Sequence, residues 1–215
     1  MKLPYHIAIE GTIGVGKSSL AEILGVRLEA KLILEEFEGN PFLADFYNNP
    51  DRFAFQTQLF FLLSRYRQLQ ELNQTDLFTK TLISDYMFVK DRLFAALNLN
   101  DKEMSLYNSV ATILEKNVSA PDMVIFLQAE TDRLMENIKI RGREYENNID
   151  WKYIDALSQI YNEYFFRYDK SPLLIINTND IDFVNNQDDL EEIVQFIRTP
   201  GKGTRYYNPI RNFQE

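Results

Sequence analysis

The sequence predicts an α/β fold, a five-stranded parallel sheet flanked by helices, on three observations. Short apolar runs rich in β-branched residues alternate with longer helical patterns along the chain. A glycine-rich turn joins the first run to the first helix. The length, 215 residues, suits one compact domain. Buried-looking strands separated by helices belong to parallel sheets with right-handed crossovers.

The first strand is "HIAIE" (6–10), followed by "GTIGVGKSSL", the glycine turn that opens the first helix. "KLILE" (31–35) is the second strand. "NNPD" (48–51) opens an unusually long helix that runs through "FAFQTQLFFLLSRYRQLQEL". Its apolar content exceeds what one face needs, so the surplus is expected to pack on a partner subunit.

"TLISD", ending on Asp85, is the third strand, "MVIFL" (123–127) the fourth and "LLIIN" (173–177) the fifth. Between the last two, "ENIKIRGREYENNIDWKYIDALSQIYNEYFFRY" reads as a helix, an Arg-rich break and a second helix. The break, about 141–148, suits a lid that closes over a ligand. "DDLEEIVQFIR" closes the domain at about residue 198, and "TPGKGTRYYNPIRNFQE" (199–215) is expected to be a loosely held tail.

Composition excludes several classes of function. A net charge of −9 supplies no field to draw the chain to nucleic acid or an anionic membrane, which leaves a small diffusible substrate. With no cysteine and a single histidine, disulfides, thiolate metal sites and a His-built zinc site are ruled out. The N-terminus enters a strand at once and no apolar run reaches membrane-spanning length, so the expected location is the cytoplasm.

Gly11, Gly16, Lys17 and Ser18 fit G-x-x-x-x-G-K-[ST] between a strand and a helix. In that context Gly11, Thr12, Ile13, Gly14, Val15, Gly16, Lys17, Ser18 and Ser19 curl so that backbone N–H groups converge on phosphate oxygens at a helix N-terminus. Lys17 would reach the transferred phosphate and Ser18 would hold magnesium. Asp85, an acid at a strand end, is placed to support the same ion. The absence of N-K-x-D disfavours a guanine-nucleotide switch.

Acceptor candidates lie at the carboxyl ends of strands, where parallel sheets bind ligands. Glu35, Glu36 and Glu38 follow the second strand, and a carboxylate there can take the proton of an attacking hydroxyl. Gln58 and Arg65, seven residues apart, share one face of the long helix, and a Gln amide can pair with a nucleobase edge. In "RGREYE", Arg141 and Arg143 offer guanidinium forks for phosphate, with Glu146 close behind.

Taken together these stretches resemble the deoxyribonucleoside kinases, from "IEGTIGVGKSS" to the helix after the lid, and the bacterial deoxyadenosine kinases in "GNPFLADFY" and "RGREYE". The resemblance implies that Glu35 is the base for a 5′-hydroxyl, with Glu36 standing where the family has Pro. It implies that Tyr47, eleven residues before Gln58, binds the sugar 3′-hydroxyl, and that Asp91 faces the base with Arg65 and Gln58. Glu146 would reach the 3′-hydroxyl on lid closure. Tyr86 departs from the family, which has Arg there, and Arg141 and Arg143 are expected to take up the transition-state charge instead.

The implied reaction is phosphoryl transfer from ATP, with Mg2+, to the 5′-hydroxyl of a deoxynucleoside, deoxyadenosine first, by a homodimer engaged in nucleotide salvage. Catalytic roles fall to Glu35, Lys17 and Arg141. Two alternatives stay open at this point: a thymidylate-like nucleoside monophosphate kinase, and a nucleotide-binding regulatory protein without turnover.

Overall fold

The computed structural model describes residues 4–72, 80–179 and 181–207. Its parallel sheet has strands in the order β2-β3-β1-β4-β5-β6: β1 (His6–Gly11), β2 (Lys31–Ile33), β3 (Leu82–Ser84), β4 (Met123–Gln128), β5 (Leu173–Asn177) and β6 (Thr204–Tyr207). The helices are α1 (Lys17–Arg27), α2 (Leu43–Asn48), α3 (Pro50–Leu72), α4 (Lys90–Asn98), α5 (Asp101–Glu115), α6 (Thr131–Arg141), α7 (Trp151–Phe166) and α8 (Gln187–Arg198).

Six strands replace the expected five. The sixth lies in the segment expected to be a loose tail, where Thr204 to Tyr207 pair with Leu173 to Ile176 at the sheet edge. Tyr207 is buried, its ring 5.6 Å from that of Phe196 on α8. "TRYY" has no apolar run of its own, and only long-range pairing makes it a strand.

The second strand is also shorter than expected. The Asp85 backbone N–H donates to the Ile33 carbonyl, but the Glu35 N–H turns to the Asp85 carboxylate Oδ1, 2.8 Å away. Ladder pairing therefore stops at Ile33, and Glu35 is released into the space above the sheet.

Central strands β1 and β4 are buried almost throughout, with Ile7, Ile9, Ile125 and Leu127 in one core that α1, α6 and α8 cover. Ala8, Val124, Phe126 and Ile175 face the second core, closed by α7 through Leu157, Tyr161 and Phe165. Burial on both faces explains why these strands read as continuous apolar runs.

The turn after β1 is built for glycine. Gly14 has φ +87°, and a Cβ there would sit 2.6 Å from the Leu134 carbonyl of α6. Only a residue without a side chain lets the loop lie so close to its neighbour. The chain then enters α1 at Lys17, so that the helix N-terminus points into the loop.

Candidate active site

The carboxyl ends of β1, β2 and β3 lie side by side, which brings Gly11, Glu35 and Asp85 to one edge. Two hollows meet there. A donor-side cleft is lined by Gly14, Val15, Gly16, Lys17, Ser18 and Ser19 of the loop, by Arg141 and Arg143, and by residues 181–185. An acceptor-side cavity takes Ile13, Glu35, Tyr47, Gln58, Arg65, Asp85 and Glu146, with Phe37, Phe61, Phe94 and Lys90. Lys17, Ser18, Arg141 and Arg143 line both, and so mark where a donor's last phosphate would meet an acceptor.

Within the loop, Lys17 Nζ donates to the Gly11 and Thr12 carbonyls at 2.8 and 2.9 Å. Burial, then the ammonium of Lys90, lowers its pKa to about 7. Gly11 and Thr12 lie outside both linings; Gly11 is wedged against the Leu127 backbone and Thr12 is buried. Ser18 Oγ donates to Asp85 Oδ2 at 2.5 Å, so the predicted magnesium pair is in contact.

Glu35 accepts Nε and Nη2 of Arg65 on one oxygen and Nζ of Lys90 on the other. Burial opposes its ionisation, but the two cations outweigh burial and hold the carboxyl well below the usual range. Arg65 in turn gives Nη1 to Asp91, and Tyr107 donates its hydroxyl to the other Asp91 oxygen at 2.7 Å. Two buried cations thus alternate with two carboxylates, Asp91 fully buried and Glu35 partly so, and the group is neutral as a whole.

Asp91 is fully buried and lies behind Arg65, outside the cavity lining. It acts on the cavity through the guanidinium that it anchors. Burial pushes its pKa up to about 6 against the pull of Arg65. Tyr86 also lies outside the lining, with its ring buried and its hydroxyl donated to Gln68 Oε1 at 2.7 Å.

Gln58, Phe61 and Arg65 fall on one face of α3, as the helical spacing predicts. Gln58 is buried, and its Oε1 has no hydrogen-bond partner among the described residues. The lid segment covers the cavity from above. Arg141 donates Nη2 to both oxygens of Glu146 at 2.7 Å, and the Arg143 guanidinium lies 3.8 Å from the Phe37 ring centroid. Tyr145 stacks on Tyr47 with centroids 5.8 Å apart.

The sequence reading missed Lys90, Glu10 and the aromatic walls. Glu10, fully buried at the end of β1, accepts the backbone N–H of Met87 and Gly11, and so ties β1 to the turn after β3. One signal for Lys90 was available: a charge in an otherwise apolar "YMFV" lead-in to α4.

A parallel α/β sheet carrying a G-x-x-x-x-G-K-S loop, with a second cavity that opens onto its lysine, defines a P-loop phosphotransferase for a separate acceptor. The deoxynucleoside kinase family model matches residues 7–200, and the chain belongs to that family. It is 32% identical over 199 residues to a deoxyguanosine kinase of Bacillus subtilis, covering 89% of this chain and 95% of that one. It is also 32% identical over 209 residues to a deoxyadenosine kinase of Dictyostelium discoideum, covering 95% and 82%. The fold matches a solved deoxyadenosine kinase from M. mycoides with bound dATP at TM-score 0.79 and 24% identity, over 90% of this chain and 99% of that one. The protein is therefore an enzyme of nucleotide salvage that phosphorylates deoxynucleosides with ATP as donor.

Proposed function

We propose that the acceptor is a purine deoxynucleoside, deoxyadenosine first, whose 5′-hydroxyl is placed at Glu35 and whose base lies against Gln58. The observation that carries this reading is the unpartnered Oε1 of Gln58 in a cavity walled by Phe61 and Phe94. A buried acceptor without a donor favours a base edge that offers an N–H, and the adenine 6-amino group does so beside a ring acceptor for the Gln amide. Tyr47 and Glu146 stand at the lid side of the cavity, where the sugar 3′-hydroxyl would be held.

In this reading the ATP phosphates lie on the loop backbone and Lys17, while Arg141 and Arg143 reach the junction from the lid. Glu35 aligns the 5′-hydroxyl and receives its proton as the oxygen attacks the γ-phosphorus. The donor set fits magnesium: a hydroxyl and a carboxylate, both hard oxygen ligands in contact, with no cluster of three or more metal-binding residues among the described ones. Bound there with the nucleotide, the ion would supply charge neutralisation across the phosphates. Closure of the lid keeps water from competing as acceptor.

The homodimer and the cytoplasmic location belong to the same reading. Leu63 on α3 and Leu106 and Ile113 on α5 are 48%, 55% and 65% exposed, which supports a partner on that face. No described helix is long and apolar enough to cross a membrane.

The test is kcat/KM for deoxyadenosine, deoxyguanosine, deoxycytidine and thymidine with ATP and magnesium. Deoxyadenosine is expected to rank first and deoxyguanosine second; a pyrimidine at the head of the ranking would overturn the base assignment.

A further inference from the structure

Lys90 is an expensive residue where it stands. It is 5% exposed, it opens α4 at the end where a helix repels a cation, and it shares the acceptor-side cavity with Lys17. Its ammonium is one of the two forces on Glu35, and it is felt by Lys17, whose own charge it disfavours. Arg65 already gives Glu35 Oε1 two N–H groups, so a second cation is not needed to pair that carboxylate. Meanwhile position 86, beside Asp85, brings no charge to the cavity, since the Tyr86 side chain points to Gln68.

We propose that Lys90 is a catalytic residue of this kinase, the acceptor-side cation that meets the negative charge developing between the 5′-oxygen and the transferred phosphoryl group. The proposal rests on the placement of the 5′-hydroxyl at Glu35. As the 5′-oxygen bonds to the γ-phosphorus, its proton passes to Glu35, and the bond from that phosphorus to the β,γ-bridging oxygen breaks. The electron pair of that bond leaves on ADP. Lys90 keeps its three protons throughout: it holds Glu35 Oε2 before the step and faces the phosphoryl oxygens during it. Lys17, which lines the donor-side cleft as well, does the same from the donor side, so the moving charge meets both lysines that line the cavity. The lid arginines, each paired with Glu146, then serve closure as much as charge.

The experiment is single-turnover phosphorylation of deoxyadenosine, with enzyme in excess, by Lys90→Met, Lys90→Arg, Glu35→Gln and the double variant Lys90→Met/Glu35→Gln. Nucleoside affinity and melting temperature are read alongside. Lys90→Met should slow the chemical step about 10²-fold while nucleoside affinity changes less than about fivefold, and Lys90→Arg should recover about tenfold of the loss. In the Glu35→Gln background, Lys90→Met should cost a further tenfold or so, because its action on the phosphoryl group is independent of Glu35. A Lys90→Met rate within about threefold of the parent would overturn the proposal, and so would no further loss in the Glu35→Gln background, which would leave Lys90 a positioning residue. Should Lys90→Met fail to fold, Lys90→Gln carries the same expectations. A near-normal rate for Glu35→Gln alone would remove the role of Glu35 and leave the Lys90 result to be judged by itself.

Discussion

At Glu35 a carboxylate meets two cations, and that pairing decides what it can do to a hydroxyl. Held well below the usual carboxylate range by Arg65 and Lys90, it is always ionised near neutrality and always ready to accept a hydrogen bond. In the mechanism we propose, it aligns the 5′-hydroxyl first and takes its proton only as the oxygen becomes acidic in the transition state. Glu35→Gln is accordingly expected to keep deoxynucleoside binding in calorimetry and to lose about 10²-fold or more in turnover. An unchanged rate would move the base to Glu36 or remove it. Much at this scale was legible: Gly14 to Ser19 stand in a motif, Gln58 and Arg65 at helical spacing and Glu35 among three acids at a strand end, and all of them line the two hollows. Lys90 was not, because a buried lysine makes sense only beside a carboxylate 55 residues away. Asp91 is similar: it was expected to face the base beside Arg65 and Gln58, but it lies buried behind Arg65, outside the cavity, held there by Tyr107, a contact no spacing announces.

Among the elements, α3 does two jobs with one length. Its inner face carries Gln58, Phe61 and Arg65 into the cavity, and its outer face leaves Leu63 exposed next to α5. Asn100 caps α5 with a reciprocal Glu103 bond, so Leu106 and Ile113, seven residues apart, are held on one stripe of a stable helix. We expect the chain to elute as a dimer and Ile113→Glu to shift it toward the monomer while its melting stays cooperative; a wild-type monomer at micromolar concentration would contradict the dimer. The surplus of apolar residues that makes α3 conspicuous in the sequence packs mostly within the chain, through Leu62 and Leu69 with Phe55 and Leu59 beside them, and leaves Leu63 exposed. Strand β6 shows the opposite case, an element invisible locally because "TRYY" acquires its identity from the edge of β5.

For the molecule as a whole, the sheet order puts β1 at the centre with the three chemistry-bearing strand ends on one edge, and acid sensitivity follows from the same centre. His6, the sole histidine, begins β1 with Nε2 2.9 Å from Ser84 Oγ, and burial lowers its pKa to about 4 despite Asp122. The folded state holds it neutral, so its contribution is complete above pH 6.5 and is lost as pH falls from 6.5 towards 4. The loss is at most about 3 kcal/mol, and His6→Gln should flatten the acid limb of the denaturation curve over that window. Equal slopes in both proteins would exclude His6 as the cause. Whether the phosphate held by Lys17 passes to the 5′-hydroxyl of a free deoxynucleoside is decided by initial rates with ATP and magnesium on deoxyadenosine, adenosine and deoxyadenosine 5′-monophosphate. Rapid formation of the monophosphate from deoxyadenosine is expected, with slower reaction of adenosine and no ADP production from the monophosphate. Turnover of the monophosphate alone would contradict it and would take from Glu35 the role assigned to it.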